Sequence, residues 1–331
     1  MKKVSQLSIT KIFLTIIILS ITFYGCNNPK EEEEEEKSEI SGKLIIFHAG
    51  SLAVPFKLIK EEFEKEYPDV DVLLEAAGSV TCARKITDLK RDCDIMASAD
   101  YAVIDKFLIP DYSSWNIKFA SNEMCIAFTN KSTFADSING NNCFDVLLKD
   151  DVIYGRSDPN SDPCGYRSLL TIKLAEKFYN KKMLANFLAK DNNFIRPKET
   201  DLISLLETNN IDYIFIYRSV AKQHSLNFIT LPDSINLKSS ELAKYYSTVD
   251  VEIVGKKPGE KIKMQGKPMV YGLTILENAP NKVTANAFLD FLLSKEKGMK
   301  IMEEMGQPSV VPATTNTYQN VPKEFKKYVK E

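Results

Sequence analysis

Twice near its start, the chain runs an apolar strand into a Gly-Ser pair and then into a helix, and this repeat limits the fold more than any other feature. Residues 43–48 (KLIIFH) lead into Ala49-Gly50-Ser51, after which Leu52, Phe56, Ile59, Phe63 and Tyr67 recur at helical spacing, with Pro55 in the first turn. Residues 70–75 read as a second strand, and Ala77-Gly78-Ser79 leads into a helix carrying Val80, Ala83, Ile86 and Leu89. A strand at 94–99 and a helix at 101–108 continue the series. Strands alternating with helices make an α/β fold with a parallel sheet, and such sheets take ligands beyond the carboxyl ends of their strands. Both Gly-Ser turns lie at those ends. Each offers a serine hydroxyl and free N–H groups at a helix start, which can hold an oxyanion without charge or serve as an ordinary cap. Neither is a P-loop or a G-x-G-x-x-G fingerprint, so nucleotide binding is unsupported.

After a longer strand at 122–129 (NEMCIAFT), the alternation resumes with residues 152–154 and the stretch SDPNSDPCGYRS at 157–168. An apolar-periodic run (Leu169, Leu170, Ile172, Leu174, Ala175, Phe178) follows directly. Asp162 stands at the cap position, Pro163 at the first helical position, and Gly165 keeps the approach to the helix end open. A helix start attracts anions, so a carboxylate there is out of place. Asp162 either caps its own helix or stands beside the ligand that the helix attracts. A helix at 182–189, the segment Ile195-Arg196-Pro197-Lys198-Glu199-Thr200-Asp201 and a strand at 212–217 (DYIFIY) complete this unit. Its three element ends, at 162–165, 199–200 and 217–219, can meet. A second long strand at 266–276 (GKPMVYGLTIL) pairs in role with the one at 122–129. Two such strands joining two α/β units predict a two-lobed clamshell, which suits a chain of 331 residues. The chain returns to its first lobe through helices near 283–293 and 295–305. The expected lobes are 43–122 with 272–331, and 123–271.

The first 26 residues read as an export signal. Lys2, Lys3 and Lys11 precede an apolar stretch at 12–24 that is short for a membrane-spanning helix and ends at Gly25-Cys26. That ending resembles a bacterial lipoprotein signal with Cys26 as the lipidated residue, although Phe23 and Tyr24 are bulky for it. The acidic stretch at 27–37, with its glutamate run at 31–36, is a self-repelling tether that reaches to about residue 42. Loss of residues 1–26 removes three lysines and no acid, taking the net charge from −2 to −5, which disfavours nucleic acid as a partner. Cys82, Cys93, Cys125, Cys143 and Cys164 show no metal-binding spacing and read as small buried side chains with at most one disulfide.

In order, HAGSLAVPF, AAGSVTCARKITDL, DIMASADY, SDPNSDPCGYRS, RPKETDL and DYIFIYRSVAKQH resemble the substrate-binding proteins of tungstate/molybdate ABC transporters. The likeness is to the archaeal-type branch often named for tungstate and runs from about residue 43 to about 321. The DPCGYRS and RPKETDL segments are specific to that branch. The resemblance implies a type II-like periplasmic-binding-protein clamshell with two crossover strands. It implies an oxyanion site of Gly50, Ser51 and Ser79 from one lobe, and Asp162, Pro163, Cys164, Glu199 and Tyr217 from the other. It also implies that Asp162 and Glu199 complete a roughly octahedral oxygen shell around the tungsten or molybdenum. No cofactor and no enzymatic activity are implied. The implied chain is a monomer, anchored by lipid at the membrane surface on the periplasmic or extracellular face, with a permease and its ATPase as partners. One departure is the connection at 189–196, which is shorter than in some relatives.

Elementary electrostatics accommodates such a site. A carboxylate ~4 Å from one unit of ligand charge is repelled by ~4 kcal/mol at an effective dielectric of ~20. Hexavalent tungsten and molybdenum are large, hard ions that accept further oxygen ligands, whereas the central atoms of sulfate and phosphate do not. Paired acids would therefore admit metal oxyanions and repel sulfate. Two other classes stay open from the residues alone: a binding protein for sulfate, phosphate or another small anion, and an enzyme acting on a phosphorylated or carboxylated substrate. The enzyme lacks a nucleophile–base pair, a metal cluster and a cofactor fingerprint in this sequence. His48 reads as a structural histidine. Cys164 is expected to contribute its N–H and not its thiol, and Tyr217 either its hydroxyl or its backbone. Arg167 and Arg218 suit an oxyanion by charge or pair with acids such as Asp158.

Overall fold

The computed structural model describes residues 40–190 and 193–331. Cys26, the export signal and the acidic stretch at 27–37 lie outside those residues. Among the described residues no helix is long and apolar enough to cross a membrane.

Two five-stranded sheets organise the chain. The first has the order β2-β1-β3-β12-β4, with β1 at Gly42–Ala49, β2 at Val70–Ala77, β3 at Ile95–Ser98, β4 at Ile117–Ser121 and β12 at Val270–Ile275. β1 pairs in parallel with β2 and β3, as the strand–helix alternation requires, while β12 is antiparallel to β3 and β4. The helix Ala53–Glu66 turns Pro55, Phe56, Ile59 and Phe63 inward. Phe63 meets Phe288 at 5.1 Å and Phe291 at 5.5 Å, both from the returning helix Lys282–Leu293, so chain-distant segments close one core.

The second sheet has the order β7-β6-β8-β5-β9, with β5 at Met124–Phe128, β6 at Tyr154–Ser157, β7 at Ile195–Arg196, β8 at Tyr213–Tyr217 and β9 at Asn227–Thr230. The helix Pro163–Tyr179 buries most of its first twelve residues against it. β10 (Asp250–Val254) and β11 (Lys261–Gln265) form a separate hairpin.

The long strand expected at 122–129 is the shorter β5, which lies in the second sheet only, and the strand before it, β4, belongs to the first. β4 ends at Ser121 and β5 begins at Met124. Between them, Asn122 replaces ladder bonds with side-chain bonds, its Nδ2 donating to Ser219 Oγ at 2.7 Å and to Tyr271 Oη at 2.9 Å. The stretch at 266–276 is likewise strand only from Val270, because Pro268 has no N–H to give a ladder. The two connections between the sheets thus touch each other through Asn122 and Tyr271. The five described cysteines are all buried and unpaired. His48 is buried, stacks on Phe56 at 5.4 Å and bonds Ala49 O through Nδ1, as a structural histidine does.

Candidate functional site

The ends of several strands converge between the two sheets. Gly50 and Ser51 follow β1, and Ser79 follows β2; all three are buried. Neither serine is a cap. Each lies inside its first helical turn, and the hydroxyls bond elsewhere: Ser51 Oγ accepts from Tyr271 Oη at 3.0 Å, and Ser79 Oγ accepts from Ala99 N at 3.0 Å. Gln307 Nε2 also donates to Ser51 O at 2.8 Å. The turns are therefore fixed to the returning strand and to the end of β3.

Asp162 caps its own helix and also makes a second bond. Its Oδ1 accepts from Cys164 N at 3.3 Å, capping the helix whose first residue is Pro163. Its Oδ2 accepts from Glu199 N at 3.1 Å, which fixes the Glu199–Leu202 turn beyond β7. Glu199 is fully buried, and neither of its carboxylate oxygens has a hydrogen-bond partner. It faces the other lobe directly. A Cβ added to Gly50 would stand 3.0 Å from Glu199 Oε2 and 3.1 Å from Oε1, so only glycine leaves the carboxylate its place.

Tyr217 ends β8 buried, and its hydroxyl accepts from Arg167 Nη1 at 3.1 Å. Cys164 turns its thiol away to Phe215 O at 3.6 Å. The lobes also meet where Thr81 N donates to Ser161 O at 3.2 Å, beside Gly78. Gly50, Asp162 and Glu199 thus meet where the lobes face each other, and Ser79 and Tyr217 are linked to the same region through Ala99 and Arg167.

Burial raises the Asp162 carboxyl, although hydrogen bonds hold the rise back. Burial pushes Glu199 well above the carboxylate range, and the charge of Asp162 adds to the rise. Two buried acids side by side cannot both be ionised cheaply. Filling the space with an electrophilic centre is one way to satisfy those oxygens.

Several residues here carry no local sequence signal. Tyr271 and Asn122 join the two connections to Ser51 and Ser219. Ser157 places a buried hydroxyl beside Asp162 and Cys164. Asp100 is legible as a cap, its Oδ1 accepting from Ala102 N at 2.9 Å, but nothing local reveals its bond from Tyr166 Oη at 2.8 Å. Arg167 and Arg218 both pair with acids, although neither takes Asp158. Arg167 reaches Ala99 O at 2.8 Å, while Asp158 is occupied by Ser161 Oγ and Asn160 N at 3.0 Å each. Arg218 pairs with Glu123 at 2.9 Å.

Residues 44–306 match the family of bacterial extracellular solute-binding proteins. The chain is 42% identical to the molybdate/tungstate-binding protein WtpA of Pyrococcus abyssi over 95% of this chain and 97% of that one. It is 50% identical to a solute-binding protein of Petrotoga mobilis, with coverage of 88% and 91%. Among solved structures, the periplasmic molybdate-binding protein of Azotobacter vinelandii superposes with a TM-score of 0.58 at 14% identity, covering 81% of this chain and 99% of that one. The sulfate-binding protein SubI of Mycobacterium tuberculosis gives 0.57 at 14% identity, covering 82% and 88%. At that identity the likeness is one of fold, and the fold serves both anions. The relatives are matched along almost their whole length, and this chain belongs to the bacterial extracellular solute-binding protein family.

Proposed function

We propose that the protein captures tungstate or molybdate between its lobes and delivers it to a membrane permease and its ATPase. The observation that carries this reading is Glu199: a fully buried carboxylate with two unpartnered oxygens, next to a second buried acid and against the Gly50 turn. Such a pair repels sulfate and suits a metal centre able to take two more oxygens. In this reading Asp162 and Glu199 bind the metal, while the Gly50-Ser51 and Ser79 turns, the helix start at Pro163-Cys164 and Tyr217 surround the oxo groups. The names of the WtpA relatives support the choice of ligand. The chain acts as an exported monomer without cofactor or catalysis, tethered through a lipid on Cys26 and the acidic stretch behind it.

Calorimetric titration of dialysed protein with tungstate, molybdate and sulfate tests the reading. At least one metal oxyanion is expected to bind with sub-micromolar affinity and sulfate far more weakly. Micromolar-or-weaker binding of both metal oxyanions overturns it.

A further inference from the structure

We propose that Arg167 and Asp100 form the latch that holds the lobes shut, and that Arg167 also aims the Tyr217 hydroxyl into the cleft. Arg167 is a positioning residue, one step removed from the ligand. It rests on the reading above only for the identity of that ligand.

Asp100 sits at the end of β3 in the first lobe and is 1% exposed; Arg167, in the second-lobe helix Pro163–Tyr179, is 2% exposed. Arg167 spans the cleft. Its Nη1 donates to Ala99 O at 2.8 Å in the opposite lobe and to Tyr217 Oη at 3.1 Å in its own. Its Nη2 lies 3.5 Å from Asp100 Oδ2, an ion pair without a hydrogen bond. Tyr166 Oη donates to the same carboxylate oxygen at 2.8 Å. On the connection that returns to the first sheet, Lys267 Nζ stands 3.0 Å from Asp100 Oδ1. One buried carboxylate thus collects partners from its own helix start, the other lobe and the connecting segment.

This placement makes the network conditional on closure. A charge pair inside one lobe would persist whether the cleft is open or shut. Asp100 and Arg167 lie in different lobes, so parting them breaks the pair and returns both groups to water. Burial alone would push Asp100 up, but Lys267 and Arg167 hold it at about 2, so it is charged whenever the network is made. Breaking a buried pair on one side leaves the other charge stranded, which ties each partner to the shut form. The Tyr217 hydroxyl has its acceptor position filled by Arg167, which leaves its O–H as a donor.

The test is the rate of tungstate release, measured by stopped flow, together with small-angle scattering. Arg167→Met and Asp100→Asn are each expected to speed release about tenfold or more and to change association less than about twofold. The double variant is expected to release no faster than the worse single one, because both act on one pair. Arg167→Lys should recover part of the loss, and the loaded variants should have a larger radius of gyration than the loaded parent. Tyr166→Phe, which removes one bond to Asp100 and little else, serves if Asp100→Asn does not fold. Release within about twofold of the parent, additive effects or unchanged scattering overturns the latch. If the parent binds neither metal oxyanion, the functional reading falls and scattering alone judges the latch. In that case Asp100→Asn must widen the ligand-free particle, and an unchanged radius overturns the proposal.

Discussion

Glu199 and Asp162 are both buried acids, yet removing them has different costs. Asp162→Ala deletes a helix cap and the acceptor of Glu199 N, so it should lower stability by about 1–2 kcal/mol as well as weaken tungstate binding. Glu199→Gln keeps the size of a side chain that receives no N–H bond and that burial beside Asp162 already disfavours as a charge, so its ligand-free melting temperature should not fall below the parent's. Both variants are expected to lose tungstate affinity far more than any residual sulfate affinity, and parallel titrations check this. His48, two residues before Gly50, supplies a pH test of stability. Burial lowers its imidazole to about 4, against the opposing bond to Ala49 O. The unfolded chain therefore takes up a proton that the folded chain refuses between about pH 6.5 and about pH 4. Stability should rise with pH through that window by up to about 3 kcal/mol and be lost as pH falls through it. Urea unfolding at about pH 4.5 and about pH 7 should show a smaller difference in His48→Gln than in the parent.

Elements meet across the cleft at Gly78, where an added Cβ would lie 2.2 Å from Ser161 O. Its own backbone, at φ −58 and ψ 141, accepts any residue, so alanine harms only the closed form. Gly78→Ala should keep the parent's melting temperature without ligand and bind tungstate about tenfold or more weakly, which calorimetry and thermal unfolding together decide. The strand–turn–helix units on either side of this contact were legible in the sequence. Their apolar residues recur at fixed spacing, and Asp162-Pro163 announces a helix start. The resemblance to tungstate-binding relatives located the carboxylates. What stayed hidden depends on distant partners: Tyr166 with Asp100, Tyr271 with Ser51, and Glu199 with Gly50. The short strands β4, β9, β10 and β11 lack a pattern long enough to read, and periodicity cannot show that the chain changes sheet at Asn122, just ahead of β5.

The described molecule is one unit from Ile40 to Glu331. Its first residues are tied in, with Ser41 O accepting from Asn281 Nδ2 at 2.8 Å and from Thr284 Oγ1 at 2.9 Å. A chain beginning at Ile40 should therefore fold and bind tungstate with the affinity of the longer one, a comparison calorimetry makes directly. The full chain should instead partition with membranes in its host, and Cys26→Ser should release it to the soluble fraction. The five thiols bear on where such a molecule can work. Each described cysteine is buried and unpaired, and burial pushes Cys82 and Cys143 up to about 12, far from the reactive thiolate. Among the described residues the fold therefore rests on non-covalent contacts alone, with no cross-link that a reductant could break, and unfolding in the presence and absence of a reductant should give the same midpoint.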